Sequence, residues 1–211
     1  VKQVGRWAFP VDFALKRPLV NPPGAAFSFN PGTAHLAARI LTSATKQRMT
    51  DFARKNLFTP LGIDRFLWRI DGPGGSELGY TGLELTTRDM AKVGQLYLHK
   101  GMWNGKTLLP SSYVDMATRK QTAGGPPLYW DFGYLWWVAP DESSRIFMAG
   151  ANDGQRIYVN QGLDLVIVIT SDANGARNAR LQDVDALIQS IVKSAFKPET
   201  LTPSTQRPGS A

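Results

Sequence analysis

Few side chains in this sequence are of types that carry chemistry near neutral pH. His35 and His99 are its two histidines, and it has no cysteine. Thiolate nucleophiles, disulfides and cysteine-bound metals are therefore excluded within it, and a His-rich metal site is not expected. Asp51, Asp64 and Asp71 show no spacing that would pair two carboxylates for acid and base work. His35 falls inside a helical pattern and reads as a packing or capping group. His99 falls at a helix end, where a cation complements the dipole. Asn152-Asp153-Gly154 is a good hairpin turn.

The elements that must position such residues follow from the rest of the chain. Its 211 residues are 43% apolar and 19% charged, a globular composition that can bury a core. The net charge is +7, but the basic residues are scattered without a block of five. This reads as a solvated basic surface and not as a nucleic-acid footprint. No apolar run has the length of a membrane span. The sequence opens on Val1, shows no signal peptide and is expected to be a trimmed or incomplete product.

Residues 1–32, punctuated by prolines, read as a surface connection rather than a helix. Helical periodicity runs from Thr33 to about Thr45, and a second helix spans about Thr50 to Phe58, with Thr50 as its cap and Pro60-Leu61-Gly62 as its stop. Residues 71–82 form a glycine-rich loop. Thr86 caps a helix reaching about Lys100, Asn104-Gly105 marks a tight turn, and Pro110-Ser111 opens a helix ending near Arg119. Strands are predicted at Phe132–Val138, Arg145–Ala149, Gln155–Asn160 and Leu163–Ser171, in an antiparallel meander. Arg177 to Phe196 is an amphipathic helix that should lie across one sheet face. Residues 197–211, rich in Pro, Thr and Ser, are expected to be a disordered tail. The pattern is α+β: an antiparallel sheet flanked by helices.

Five phrases then carry a resemblance. They are Pro22-Pro23-Gly24-Ala25-Ala26-Phe27-Ser28-Phe29-Asn30 followed by His35-Leu36, Leu57-Phe58-Thr59-Pro60-Leu61-Gly62-Ile63, and Gly82-Leu83-Glu84-Leu85-Thr86-Thr87-Arg88-Asp89-Met90-Ala91-Lys92. Phe132-Gly133-Tyr134-Leu135-Trp136-Trp137 and Gly154-Gln155-Arg156-Ile157-Tyr158-Val159 complete the set. In this order they resemble the serine β-lactamase and penicillin-binding-protein superfamily. The branch is the class C-like one, with its esterases, DD-peptidases and 6-aminohexanoate-dimer-hydrolase-like amidases. The resemblance covers about residues 20–196 and implies a β-lactamase/transpeptidase-like domain over 1–196, incomplete at its N-terminus.

Family chemistry uses a Ser-x-x-Lys, whose lysine amine takes the serine proton. It adds a Tyr-x-Asn-like element, whose phenol relays protons, and a strand motif that lends a backbone N–H to the oxyanion hole. By spacing, the tyrosine position here is Phe29, which has no hydroxyl. Two readings stand for Phe29: a cleft residue at the relay position, or a packed aromatic. Asn30 matches the following asparagine. Ala151-Asn152-Asp153-Gly154-Gln155 resembles the strand motif, with Asn152 offering its backbone N–H and Asp153, Gly154 and Gln155 beside the substrate. A plain hairpin turn is the alternative for Asn152. Ser43-Ala44-Thr45-Lys46 fits Ser-x-x-Lys in letters, but it follows the tyrosine element and ends a helix, so it is not assigned.

The resemblance thus implies part of a serine hydrolase that cleaves amides or esters through an acyl-enzyme. The Ser-x-x-Lys would come from an N-terminal segment or a companion chain. A small amide or ester is the implied substrate, with no cofactor, no metal, no nucleic acid and no membrane span. The alternative is a non-catalytic binder with a degenerate cleft.

Overall fold

The computed structural model describes residues 11–70, 75–150, 154–171 and 177–195. Its centre is a five-stranded antiparallel meander, β5 (Asp131–Phe132), β6 (Trp137–Val138), β7 (Ile146–Gly150), β8 (Arg156–Asn160) and β9 (Leu165–Ile169), in sequential order. Before it come α1 (Val11–Leu15), α2 (Pro31–Thr45), α3 (Met49–Ala53), α4 (Thr87–Leu98) and α5 (Ser111–Ala117). Two small hairpins, β1–β2 (Leu67–Trp68 with Leu83–Glu84) and β3–β4 (Met102–Trp103 with Lys106–Thr107), lie among them. Helix α6 (Arg177–Ala195) follows the sheet.

Side chains alternate across the meander, so each sheet face gathers its own core. On one face Trp136, Val138, Phe147, Ile157 and Val159 pack with Met90, Val93 and Tyr97 of α4. On the other, Tyr158 and Ile167 pack under Val184 and Ile188 of α6, as the amphipathic pattern predicts. Gly94 lets α4 approach closely. A Cβ there would meet Val166 at 2.7 Å and Ile157 at 2.9 Å. A third core of Phe58, Leu61, Ile63 and Leu96 joins α4 to the α3 region.

Local capping explains the helix boundaries. Thr86 accepts from the Asp89 N–H at 3.1 Å and donates to its carboxylate at 2.7 Å. The Lys92 ammonium bonds both Asp89 (2.7 Å) and the Gly62 carbonyl (2.6 Å). Two of the five sequence phrases are thereby tied together. At Asn104-Gly105 both residues have positive φ (47° and 75°), the geometry that a two-residue hairpin turn needs.

Several expectations are corrected. Phe132–Val138 is not one strand. Gly133 to Trp136 form a turn in which the Gly133 N–H bonds the Trp136 carbonyl at 2.8 Å, so β5 and β6 pair as a hairpin. Gly133 sits where a Cβ would be 2.2 Å from the Ala117 carbonyl oxygen, and that close approach breaks the run. The proline-rich start contains the short helix α1. Thr50 does not cap α3, which begins at Met49 after Arg48 with no side-chain cap and continues as a π turn over Arg54–Phe58. β1–β2 was not read from sequence. The proposed tail, 197–211, lies outside the described residues. No helix among the described residues is long and apolar enough to cross a membrane.

Candidate active site

Phe29 and Asn30 stand at the entrance to α2. Asn30 takes the extended N-cap conformation, its Oδ1 accepts from the Gly32 N–H at 2.8 Å, and Pro31 fills the first helical position. This is the standard chemistry of a helix start. The Asn30 oxygen is thus engaged by the backbone. Fixing the helix start also fixes the direction of the residue before it.

That residue, Phe29, is 43% exposed. Its ring stacks on Trp137 (centroids 5.6 Å apart, planes 29°) and meets Phe132 edge-on at 6.3 Å. Phe27 packs against the same two rings at 5.8 and 5.1 Å. Trp137, 2% exposed, is the floor. Register places Trp137, Met148, Tyr158 and Ile167 in one row across β6, β7, β8 and β9. The aromatic group covers the β6 end of that row, and α6 covers its β8–β9 end through Val184 and Ile188. Sequence reasoning missed the bed of Phe27, Phe132 and Trp137. Phe27 lies about a hundred positions before Phe132 and Trp137, and no local pattern joins the two segments.

Of the strand motif, Ala151, Asn152 and Asp153 lie outside the described residues. Gly154 and Gln155 are placed at the head of β8. Gly154 has φ +89°, and a Cβ there would sit 2.3 Å from Ser171 Oγ. Gln155 Nε2 donates to the Ser171 carbonyl at 2.8 Å. Both lean toward the end of β9, with β7 between them and the strand under Phe29. Arg156 follows, with no exposed surface. It donates to the Gln155 carbonyl at 3.1 Å and lies 3.6 Å from Asp185 of α6. Burial pushes the Arg156 pKa down against the pull of Asp185. Burial likewise pushes the Asp185 carboxyl up, against the pull of Arg156. Gly150, paired with Arg156, leaves room for that guanidinium, since a Cβ would stand 3.2 Å from Nη1.

The remaining candidates have structural duties. His35 is buried, and its Nδ1 accepts from the Gly79 N–H at 3.2 Å. His99 is the C-cap of α4. Ser43 and Lys46 are exposed on the last turn of α2, and Lys46 is its left-handed cap (φ 55°). Trp136 and Trp137 are core. Among the described residues no three His, Asp or Glu gather as a metal cluster.

A hollow of about 300 Å³ is lined by Thr42, Arg48, Ile70, Gly75, Ser76 and Glu77. It lies at the far end of α2 from Phe29, about 18 Å along the helix at 1.5 Å per residue. Glu77, buried in it, pairs with Arg48 at 3.0 Å. Burial works to raise its pKa, but hydrogen bonds from Thr50 and the Arg48 charge outweigh it, and the net shift is downward.

Comparison with known proteins agrees with this architecture. The β-lactamase family model matches residues 2–190. The chain belongs to the β-lactamase family. Among solved structures it is similar to a candidate 6-aminohexanoate-dimer hydrolase from Bacillus anthracis, at 26% identity and a TM-score of 0.75. That match covers 87% of this chain and 48% of the other, so the chain spans about half the length of that relative. A candidate β-lactamase from Bacteroides dorei DSM 17855 shares the fold at 18% identity and a TM-score of 0.70, over 87% of this chain and 64% of that one. A search of curated proteins finds no match.

Proposed function

We propose that this chain is part of a serine hydrolase that cleaves amide or ester bonds through an acyl-enzyme. The family match over residues 2–190 carries the reading. In the proposal Phe29 occupies the position of the family's proton-relaying tyrosine. Asn152 lends its backbone N–H to the developing oxyanion, and Asn30, Asp153, Gly154 and Gln155 flank the substrate. The Ser-x-x-Lys nucleophile comes from a segment or companion chain other than the residues at hand. The exposed Ser43 and Lys46 lack the desolvated setting in which a lysine amine acts as a base. The substrate is a small amide or ester.

A second reading is favoured by one observation. Phe29 presents a ring without a hydroxyl, backed by Trp137 and Phe132. A non-catalytic member that binds a ligand in the same cleft would have that surface. The discriminating experiment is a burst assay with a chromogenic ester on this chain, on its Ser43→Ala variant, and on the chain combined with a Ser-x-x-Lys segment from a related protein. The hydrolase reading expects no burst from the first two and a stoichiometric one from the combination. A burst from the chain alone that disappears in Ser43→Ala would overturn the assignment and make Ser43 the nucleophile. No burst from a folded combination favours the binder.

A further inference from the structure

Arg156 stands where a charge is costly. It lies on β8 two residues before Tyr158, on the face that α6 covers, and it has no exposed surface. Its guanidinium reaches both ends of the segment that joins β7 to β8. Gly150, the last residue of β7, is its partner in the ladder, and a Cβ there would stand 3.2 Å from Nη1. The same Nη1 donates to the Gln155 carbonyl at 3.1 Å. Asp185 of α6 approaches Nε at 3.6 Å. The preceding residue of α6, Val184, meets Gly154, where a Cβ would lie 3.4 Å from Cγ2. Gln155 is thus held at two points, its carbonyl by Arg156 and its side chain by the Ser171 carbonyl at 2.8 Å. Every one of these contacts is made within the chain. Stability alone does not call for them, since an apolar side chain of similar volume is often as stable as a buried ion pair. What an apolar side chain cannot do is fix two strand ends by directed contacts.

We propose that Arg156, braced by Asp185, is a positioning residue of the reaction: it fixes Gly150 and Gln155, and so sets where the segment between them can present its oxyanion donor. The inference rests on the reading of the 151–155 motif given under the proposed function. Arg156 itself touches no substrate. A backbone donor stabilises an oxyanion only at about 2.7–3.1 Å, and a misplacement of about 1 Å can cost about 10²-fold in rate. A planar fork suits that duty better than an ammonium, which has no fixed donor geometry. The oxyanion develops in the transition state. Loss of the donor's placement should therefore fall on kcat and leave KM nearly unchanged.

The experiment compares Arg156→Met, Arg156→Lys and Asp185→Asn with the unaltered chain, each combined with the Ser-x-x-Lys segment used for the burst assay. Methionine keeps much of the volume, and the half-exposed Asp185 can turn to water, so the fold survives the exchange. Two quantities are measured. One is kcat and KM for a chromogenic ester. The other is backbone amide exchange, by mass spectrometry, in peptides over 150–156, with peptides from α2 and α4 as controls. Arg156→Met should lower kcat by about 10–10²-fold, no more than the about 10²–10³-fold of a lost oxyanion donor, with KM kept within about 3-fold. Arg156→Lys should recover part of the loss, and Asp185→Asn should lose less than Arg156→Met. Exchange should quicken over 150–156 and stay unchanged in α2 and α4. An unchanged kcat overturns the proposal, as does a rise in KM alone or exchange that quickens equally in the control helices. If the unaltered combination shows no burst, the hydrolase reading has failed. Amide exchange then decides whether Arg156 holds the two strand ends, and unchanged exchange over 150–156 overturns that as well.

Discussion

Phe29 lies stacked on Trp137, with ring centroids 5.6 Å apart and planes at 29°. The two residues are 108 positions apart in the chain, and their contact joins the start of α2 to the meander. One face of Phe29 is held by the tryptophan while the residue keeps 43% of its surface open.

The first prediction follows from that contact. Phe29→Tyr should change folding stability by no more than about 0.5 kcal/mol, the usual range for a substitution that adds no buried polar group. In the protein combined with a Ser-x-x-Lys segment, it should raise the acylation rate by about 10²–10⁴, the typical worth of a positioned acid/base group. Stopped-flow measurement of the acyl burst checks this. An unchanged rate in a folded Phe29→Tyr protein would remove position 29 from the reacting centre.

Asn30 gives a separable test of scaffold against site. Asn30→Ala should cost about 1 kcal/mol through the lost cap on Gly32, and Asn30→Asp should recover most of it, because aspartate also caps and favours the helix dipole. Urea midpoints measure both. Equal loss in the two variants would show that the cap geometry is not what stabilises α2.

Acid should weaken the α4 anchor. The Lys92 hydrogen bond is the strongest influence on Asp89; burial opposes it, Thr86 and the Lys92 charge reinforce it, and the carboxyl is held below the ordinary aspartate value of 3.8. A carboxyl with a depressed folded pKa stabilises fully above its unfolded value and loses that contribution as pH falls through the folded one. Asp89→Asn should therefore be about 0.5–2 kcal/mol less stable than the unaltered chain at neutral pH. The two should converge below about pH 4. Denaturation midpoints at a series of pH values check the sign, and a gap that widens on acidification would refute it.

Gly79 should tolerate no side chain. A Cβ there would stand 2.6 Å from the Ala38 Cβ and 2.7 Å from the Ala34 carbonyl oxygen, and the backbone of α2 cannot retreat. Gly79→Ala should cost about 1–3 kcal/mol, as overpacking does, and should loosen the His35 hydrogen bond. The His35 ring signals in NMR would report that loss directly.

Much of the local structure is legible in the chain itself. Whereas the start of α2 lies at Pro31 after the Asn30 cap and not at Thr33 as the periodicity suggests, Thr86-x-x-Asp89 sets a helix start, Asn104-Gly105 sets a hairpin, and alternating apolar runs set the meander. Each depends on contacts within a few residues, where residue type and spacing decide the outcome. The five family phrases likewise stand in the sequence, and the family match bears out the superfamily they suggested. Tertiary structure alone decided the rest. Gly133 ends a run that looks continuous because the Ala117 carbonyl lies against it. Leu67–Trp68 become a strand only by pairing with Leu83–Glu84. His35 became a buried acceptor because a loop more than forty residues later lies on α2. Phe29 received its floor from Trp137 and Phe132. Those partners are distant in the chain, and whether a side chain becomes core, cap or cleft depends on which distant surface folds against it.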